Sequence, residues 1–181
     1  MDESGVLMTP LVRRTWAPRG QTPVLIQKMG KREKVSVAGA LWLPPQRDRL
    51  NWFSQTLENS YYDSHSVAVF LEQLLAEVGG RLVLVWDGGP IHRGEPVQEL
   101  LAAQGHWLSL EPLPAYAPEL NPVEAAWSWL KYGRLCNFAP KDIQHLHSEV
   151  LNELRSLGAN QGFLRSFFKA SEPPIPRALI T

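Results

Sequence analysis

Residues 79–90 read GGRLVLVWDGGP, and this stretch decides how the chain folds. Five consecutive apolar residues, Leu82 to Trp86, lie between glycines. So short an unbroken run predicts a strand buried on both faces, as in parallel sheets covered by helices. Asp87 closes the run. In an open α/β sheet, loops diverge at the carboxyl ends of the strands and leave the crevice where ligands bind. A carboxylate buried beside such a strand is costly unless a cation or hydrogen bonds compensate. An Asx turn over Gly88 accounts for Asp87 equally well.

On the N-terminal side, DSHSVAVFLEQLLAEVGG (63–80) changes period. Val67, Phe70, Leu71, Leu74, Leu75 and Val78 share one helical face, with Asp63 or Ser64 as the cap and Gly79-Gly80 as the stop. KVSVAGALWL (34–43) alternates as a strand does, Pro44 and Pro45 stop it, and RLNWFSQTL (49–57) is predicted to return as the second strand of a hairpin. Residues 2–9 read as a short strand. On the C-terminal side, EPVQELLAAQG (95–105) is helical, with Pro96 near its first position and Gly105 past its end. HWLSLEPL (106–113) reads as a strand, and residues 122–135 and 141–157 read as helices. The order is that of an α/β protein, a mixed sheet with helices on its faces. The Pro-rich end SEPPIPRALIT (171–181) reads as loose.

A chain of 181 residues fits one domain. Apolar content of 44% and charged content of 20% fit a globular protein rather than a disordered one. No apolar run reaches the ~18 residues a membrane helix needs, and MDESGV lacks the pattern of a signal peptide. The expected location is the cytoplasm, with no membrane partner. Cys136 is the only cysteine, which excludes an intrachain disulfide and a cysteine-based zinc site. Net charge is zero but uneven. Residues 1–34 carry 7 Lys/Arg against 3 Asp/Glu, residues 35–130 carry 4 against 11, and residues 131–181 carry 7 against 4. An acidic middle between basic ends suits a cation site flanked by surfaces that hold an anion. The zero total argues against a strong free-standing nucleic-acid binder.

A second carboxylate stands in LPAYAPELNPVEAAWSWLK (113–131). Asn121 can be an N-cap, Pro122 the first helical residue and Glu124 the third, as in a capping box. Such a cap contributes ~1 kcal/mol and needs no function. Asp2 and Glu3, taken alone, read as a frayed terminus.

Taken in order, DESG (2–5), VWDGGPIHR (85–93) and PAYAPELNPVEAAWSWLK (114–131) resemble the three acidic motifs of the DDE transposases, most closely those of the insertion-sequence branch of the mariner superfamily. TWAPRGQTP (15–23) and KVSVAGAL (34–41) are similar to that family's stretches after the first acid, so the resemblance runs from Asp2 to about Cys136. The 36 residues between Asp87 and Glu124 are also a spacing of the family's kind. The resemblance implies an RNase H-like fold that brings Asp2, Asp87 and Glu124 together as catalytic residues and metal ligands. It implies Mg2+, with Mn2+ as a substitute. Two such ions ~4 Å apart activate one oxygen and stabilise another around a phosphate, and hard oxygen ligands suit them. Asp87 would be the shared ligand, with Asp2 and Glu124 on separate ions.

The family reaction is hydrolysis at the ends of a mobile element, then attack of the freed 3′-hydroxyl on target DNA. The implied partners are those DNAs, together with self-association or an upstream helix-turn-helix polypeptide. Residues 1–160 would form the catalytic domain and 161–181 a C-terminal tail. On this resemblance a DNA-binding region upstream of Asp2 is expected to be missing, and the strand carrying Asp2 is expected to be truncated. Gly88 departs from the pattern, since family members carry Asn after the second acid. His92 matches it and is expected at a phosphate or at the edge of the site. Arg13, Arg14, Arg19, Lys28, Lys31, Arg32, Lys34 and Lys131 are expected on the DNA backbone, which would make binding salt-dependent. His145 and His147, two apart on a helix, point in different directions and are not expected to share a metal. Two rivals stand beside this reading: another RNase H-like nuclease, and an inactive remnant that binds DNA or a partner without cleaving.

Overall fold

A computed structural model of the chain describes residues 1–26 and 33–171. Lys28, Lys31, Arg32 and the Pro-rich end after Ser171 lie outside the described residues. The elements follow the order β1 (Asp2–Leu7), β2 (Lys34–Trp42), β3 (Asn51–Glu58), α1 (Ser64–Val78), β4 (Leu82–Trp86), α2 (Glu95–Gln104), β5 (Leu108–Pro112), α3 (Pro122–Ser128), α4 (Ile143–Ala159) and α5 (Gln161–Ala170). β1, β2 and β3 pair antiparallel, while β4 and β5 pair parallel. This is the mixed α/β arrangement expected from the sequence, but among the described residues the hydrogen bonds form two sheets rather than one continuous sheet. Across the break, the Met1 ammonium donates to the Val85 carbonyl at 2.8 Å.

β2 is the central strand. Every residue from Lys34 to Ala40 is buried, because helices cover both of its faces. On one face Ala38 and Ala40 pack with α1, α2, β4 and β5 through Phe70, Leu71, Leu84 and Val97. On the other, Val35 and Val37 meet Val123 and Trp127 of α3 and Leu146 and Val150 of α4. α1 forms as its caps dictate: the Asp63 side chain accepts from the Ser66 amide at 2.8 Å, and Gly79 ends the helix at φ 64°.

Gly39 is required where it stands. A Cβ added there would lie 2.6 Å from Trp52 Cη2 and 2.8 Å from Trp127 Cη2, and both rings are held in the core. Gly39→Ala is expected to destabilise the fold by about 1–3 kcal/mol through overpacking. A thermal melt checks this, and an unchanged midpoint would show that the two indoles can yield.

Several expectations need correction. β4 is buried on one face only: Leu84 and Trp86 are inside, but Val83 is 63% exposed. The helices that cover the second face of β2 and β3 do not extend over β4, and a cavity of about 710 Å³ runs between β4 and the end of β2. The helix expected over 122–135 is regular only to Ser128 and continues as a π-helical turn, Trp129–Arg134. Gln161–Ala170, placed with the tail by the sequence, is α5; Asn160 caps it, and Leu164, Phe167 and Phe168 pack on Ala126 of α3.

Candidate active site

Asp2 begins β1 opposite Gly39 and is 8% exposed. The Trp127 indole N–H donates to Asp2 Oδ2 at 3.0 Å. Burial, then the charges of Glu124 and Glu3, push the Asp2 carboxyl up to about 7, against the opposing pull of the Met1 ammonium and the Trp127 hydrogen bond. Asp2 and Glu124 are thus near enough for one charge to disfavour the other.

Glu124 stands in the first turn of α3 and is exposed. Asn121 caps that helix, accepting from the Val123 amide at 3.2 Å. The capping therefore falls to Asn121. Glu124 lines an open cleft of about 330 Å³ with Glu119, Ser128 and Ser171.

Asp87 follows β4 and makes the Asx turn that its Gly-Gly context suggests: Oδ1 accepts from the Gly89 amide at 3.0 Å. Its carboxylate also meets His92. His92 Nδ1 lies 2.7 Å from Asp87 Oδ1 and 3.0 Å from the Asp87 carbonyl. On the other side of the ring, Nε2 lies 3.1 Å from Glu3 Oε2. The ring stacks on Trp86 at 4.3 Å with an interplanar angle of 8°. Burial works to lower the His92 pKa, but the Glu3 hydrogen bond and charge and the Asp87 oxygens outweigh it, so the pKa lies above its usual value.

The Glu124 charge thus acts on Asp2, while Asp87 lies on His92. Among the described residues, no three His, Cys, Asp or Glu side chains lie close enough to hold a metal ion as they stand. The donor chemistry fits a divalent cation nonetheless. Asp2 is a buried carboxylate repelled by two others and met by an indole donor, and a hard cation is the partner such oxygens accept.

The basic residues separate. Arg14 and Arg19 are exposed on the segment after β1. Arg13, also exposed, ties that segment down: Nη1 donates to the Tyr132 carbonyl at 2.9 Å, and its backbone amide donates to Asn137 Oδ1. Lys131 is half-buried, and Lys34 is buried beneath the Tyr61 ring. His92, expected at a DNA-facing edge, is 3% exposed, with both ring nitrogens taken by protein oxygens. As placed, it lies between Asp87 and Glu3. His147 reaches Thr56 Oγ1 at 2.7 Å, whereas His145 caps the start of its own helix region through the Lys141 amide. The two do not converge.

Two contributors escaped the sequence. Trp127 stands three residues after Glu124, a spacing that puts both on one side of a helix. Arg93 reaches over Gly88: a Cβ at Gly88 would lie 2.8 Å from Arg93 Nη2, so a guanidinium fills the space where the resembled family carries an Asn side chain.

Comparison with known proteins gives the family and the fold. The family model for the DDE superfamily endonuclease matches residues 1–147, and the chain belongs to that family. No curated protein matches the sequence. Among solved structures, the Mos1 mariner paired end complex with Mn aligns with a TM-score of 0.63 at 15% identity, over 94% of this chain and 51% of that one. The Mos1 strand transfer complex aligns with a TM-score of 0.64 at 15% identity, over 94% of this chain and 50% of that one. The fold is thus the RNase H-like fold of those proteins. The chain spans about half their length. Among the described residues no helix is long and apolar enough to cross a membrane.

Proposed function

We propose that this chain is the catalytic portion of a DNA transposase, acting on an insertion sequence of the mariner superfamily. Asp2, Asp87 and Glu124 are the catalytic carboxylates and would hold Mg2+, or Mn2+ in its place. The observation that carries this reading is the state of Asp2, buried and crowded by Glu124 and Glu3 in a family defined by its endonuclease domain. Bound there, a divalent ion supplies Lewis-acid activation of the attacking oxygen and charge stabilisation for the leaving one.

The protein's own part is positional. Trp127 fixes Asp2 by its indole N–H, α3 presents Glu124 at the open cleft, and the turn after β4 presents Asp87. His92 and the Gly89 amide hold Asp87 by Oδ1, so Oδ2 is the oxygen proposed to meet the ion. Arg14, Arg19, Arg13 and Lys131, with Lys31 and Arg32, are the proposed backbone contacts to the element's ends and target DNA. Residues 1–160 are the proposed catalytic domain, working in the cytoplasm with a second copy or a helix-turn-helix polypeptide that recognises the ends. The reaction is cleavage followed by strand transfer of the freed 3′-hydroxyl.

Nicking of a short, unrestricted DNA in Mg2+ or Mn2+ tests the proposal. Wild-type chain is expected to nick it, and Asp87→Ala and Glu124→Ala are each expected to reduce nicking below detection. Cleavage that survives both substitutions, or that proceeds in chelator, would overturn the assignment.

A further inference from the structure

We infer that Glu3 and His92 form a positioning pair that sets the distance between the first and second acidic residues of the active site. The inference rests on the metal-site reading above and adds two residues to it. β1 carries Asp2, and the turn after β4 carries Asp87, yet no ladder joins the two strands among the described residues. The backbone bond from Met1 to Val85 crosses the break at one point. The second crossing is the side-chain bond from Glu3 to His92, 3.1 Å long between residues 89 positions apart.

Each partner is built for the task. Glu3 pairs with Ala38 in the ladder, so its backbone is fixed, and its side chain is 13% exposed. His92 lies on the short helical turn Pro90–Arg93, clamped against the Trp86 ring of β4. All its neighbours at hydrogen-bond distance are oxygens that only accept: two on Glu3, the carbonyl and one carboxylate oxygen on Asp87. The ring therefore spans from the strand of one catalytic acid to the side chain of the other. Partners that orient a ligating carboxylate in this way set metal affinity by about 10–100-fold.

The test is a titration of the full chain with Mn2+, reading free ion by electron paramagnetic resonance and melting temperature in parallel. Glu3→Ala and His92→Ala are each expected to weaken Mn2+ binding by about tenfold or more. The double substitution is expected to be no weaker than either single one, because both break the same link. Glu3→Gln, whose amide oxygen still accepts from Nε2, is expected to restore most of the affinity. His92→Asn keeps a donor for Asp87 but is too short to reach Glu3, and is expected to bind as weakly as Glu3→Ala; it serves if an alanine variant does not fold.

A purely structural pair would lower the melting temperature and leave Mn2+ affinity unchanged. That result would overturn the inference while the site reading stands, provided that Asp87→Ala still weakens binding. Wild-type protein that binds no Mn2+, or binding indifferent to Asp87→Ala, would overturn both.

Discussion

Asp2→Asn is expected to stabilise the metal-free protein above pH 7 and to remove its stabilisation by Mg2+. Folding raises the Asp2 carboxyl from 3.8 to about 7. A carboxyl raised on folding binds its proton more tightly in the native state, so stability is unaffected below the unfolded value. It then falls as pH rises between about 4 and 7, and stays low above. A rise of about three units at about 1.4 kcal/mol each gives on the order of 4 kcal/mol as an upper figure. Asparagine has the shape of the protonated acid and still accepts from Trp127, so the variant should escape the loss. For a chain of this size that corresponds to roughly 10 °C in melting temperature at about pH 8, and to little difference at about pH 4. Adding Mg2+ should reverse the order, stabilising the wild type by binding the native state and leaving the variant unmoved. Calorimetric melts at the two pH values, with and without the ion, check all four arms. A wild type more stable than Asp2→Asn at pH 8 in chelator would refute the crowding of Asp2.

Trp127→Ala is expected to cost about as much, for a different reason. The side chain is 3% exposed, meets Trp52 edge-on at 5.7 Å, and borders Gly39, Val37 and Val123 in the core behind the site. Truncating a buried tryptophan destabilises by about 3–5 kcal/mol, because the cavity it leaves closes only in part. Gly39 and the facing Trp52 leave little that could collapse inward. Trp127→Phe separates the two roles of the ring. It keeps most of the packing and removes the donor to Asp2, a hydrogen bond to an ionised group worth about 1.5–3 kcal/mol. The phenylalanine variant should therefore match wild type at low pH, where Asp2 is protonated, and fall behind it above pH 7. Denaturant titrations across that range would show the divergence, and a pH-independent gap would mean that the indole N–H does not stabilise the Asp2 charge.

What the sequence revealed depends on how local the cause was. α1 was legible because its period, its Asp63 cap and its Gly79 stop agree within a few residues. The β2–β3 hairpin was legible for the same reason. Burial of β4 was not, since whether Val83 is covered depends on which helices reach that face of the sheet. The end of α3 was misread because the helical pattern continues through Leu130, while the bond from the Leu135 amide to the Leu130 carbonyl has π spacing. α5 did carry a signal, an Asn160 cap before Leu164, Phe167 and Phe168 at helical spacing.

The three acids were nameable only as a family pattern. Glu124 reads as the third residue of a capping box, and only the Asn121 half of that box is made, on the Val123 amide. Asp2 looks like a terminus until Trp127, 125 positions away, is seen to donate to it. Glu3 and His92 are likewise far apart in sequence, and no local pattern announces their contact. His92 was expected at a phosphate or at the edge of the site, because a histidine near a helix start carries no sign of the Trp86 ring that buries it.

The most direct measurement is an anomalous diffraction map from crystals of the chain soaked in Mn2+. The expected result is a manganese peak ligated by oxygens of Asp2 and Glu124 and by Asp87 Oδ2, with Asp87 Oδ1 still on His92. A map with no peak at these carboxylates, at an ion concentration that populates manganese sites elsewhere on the protein, would contradict a metal-dependent active site in this chain.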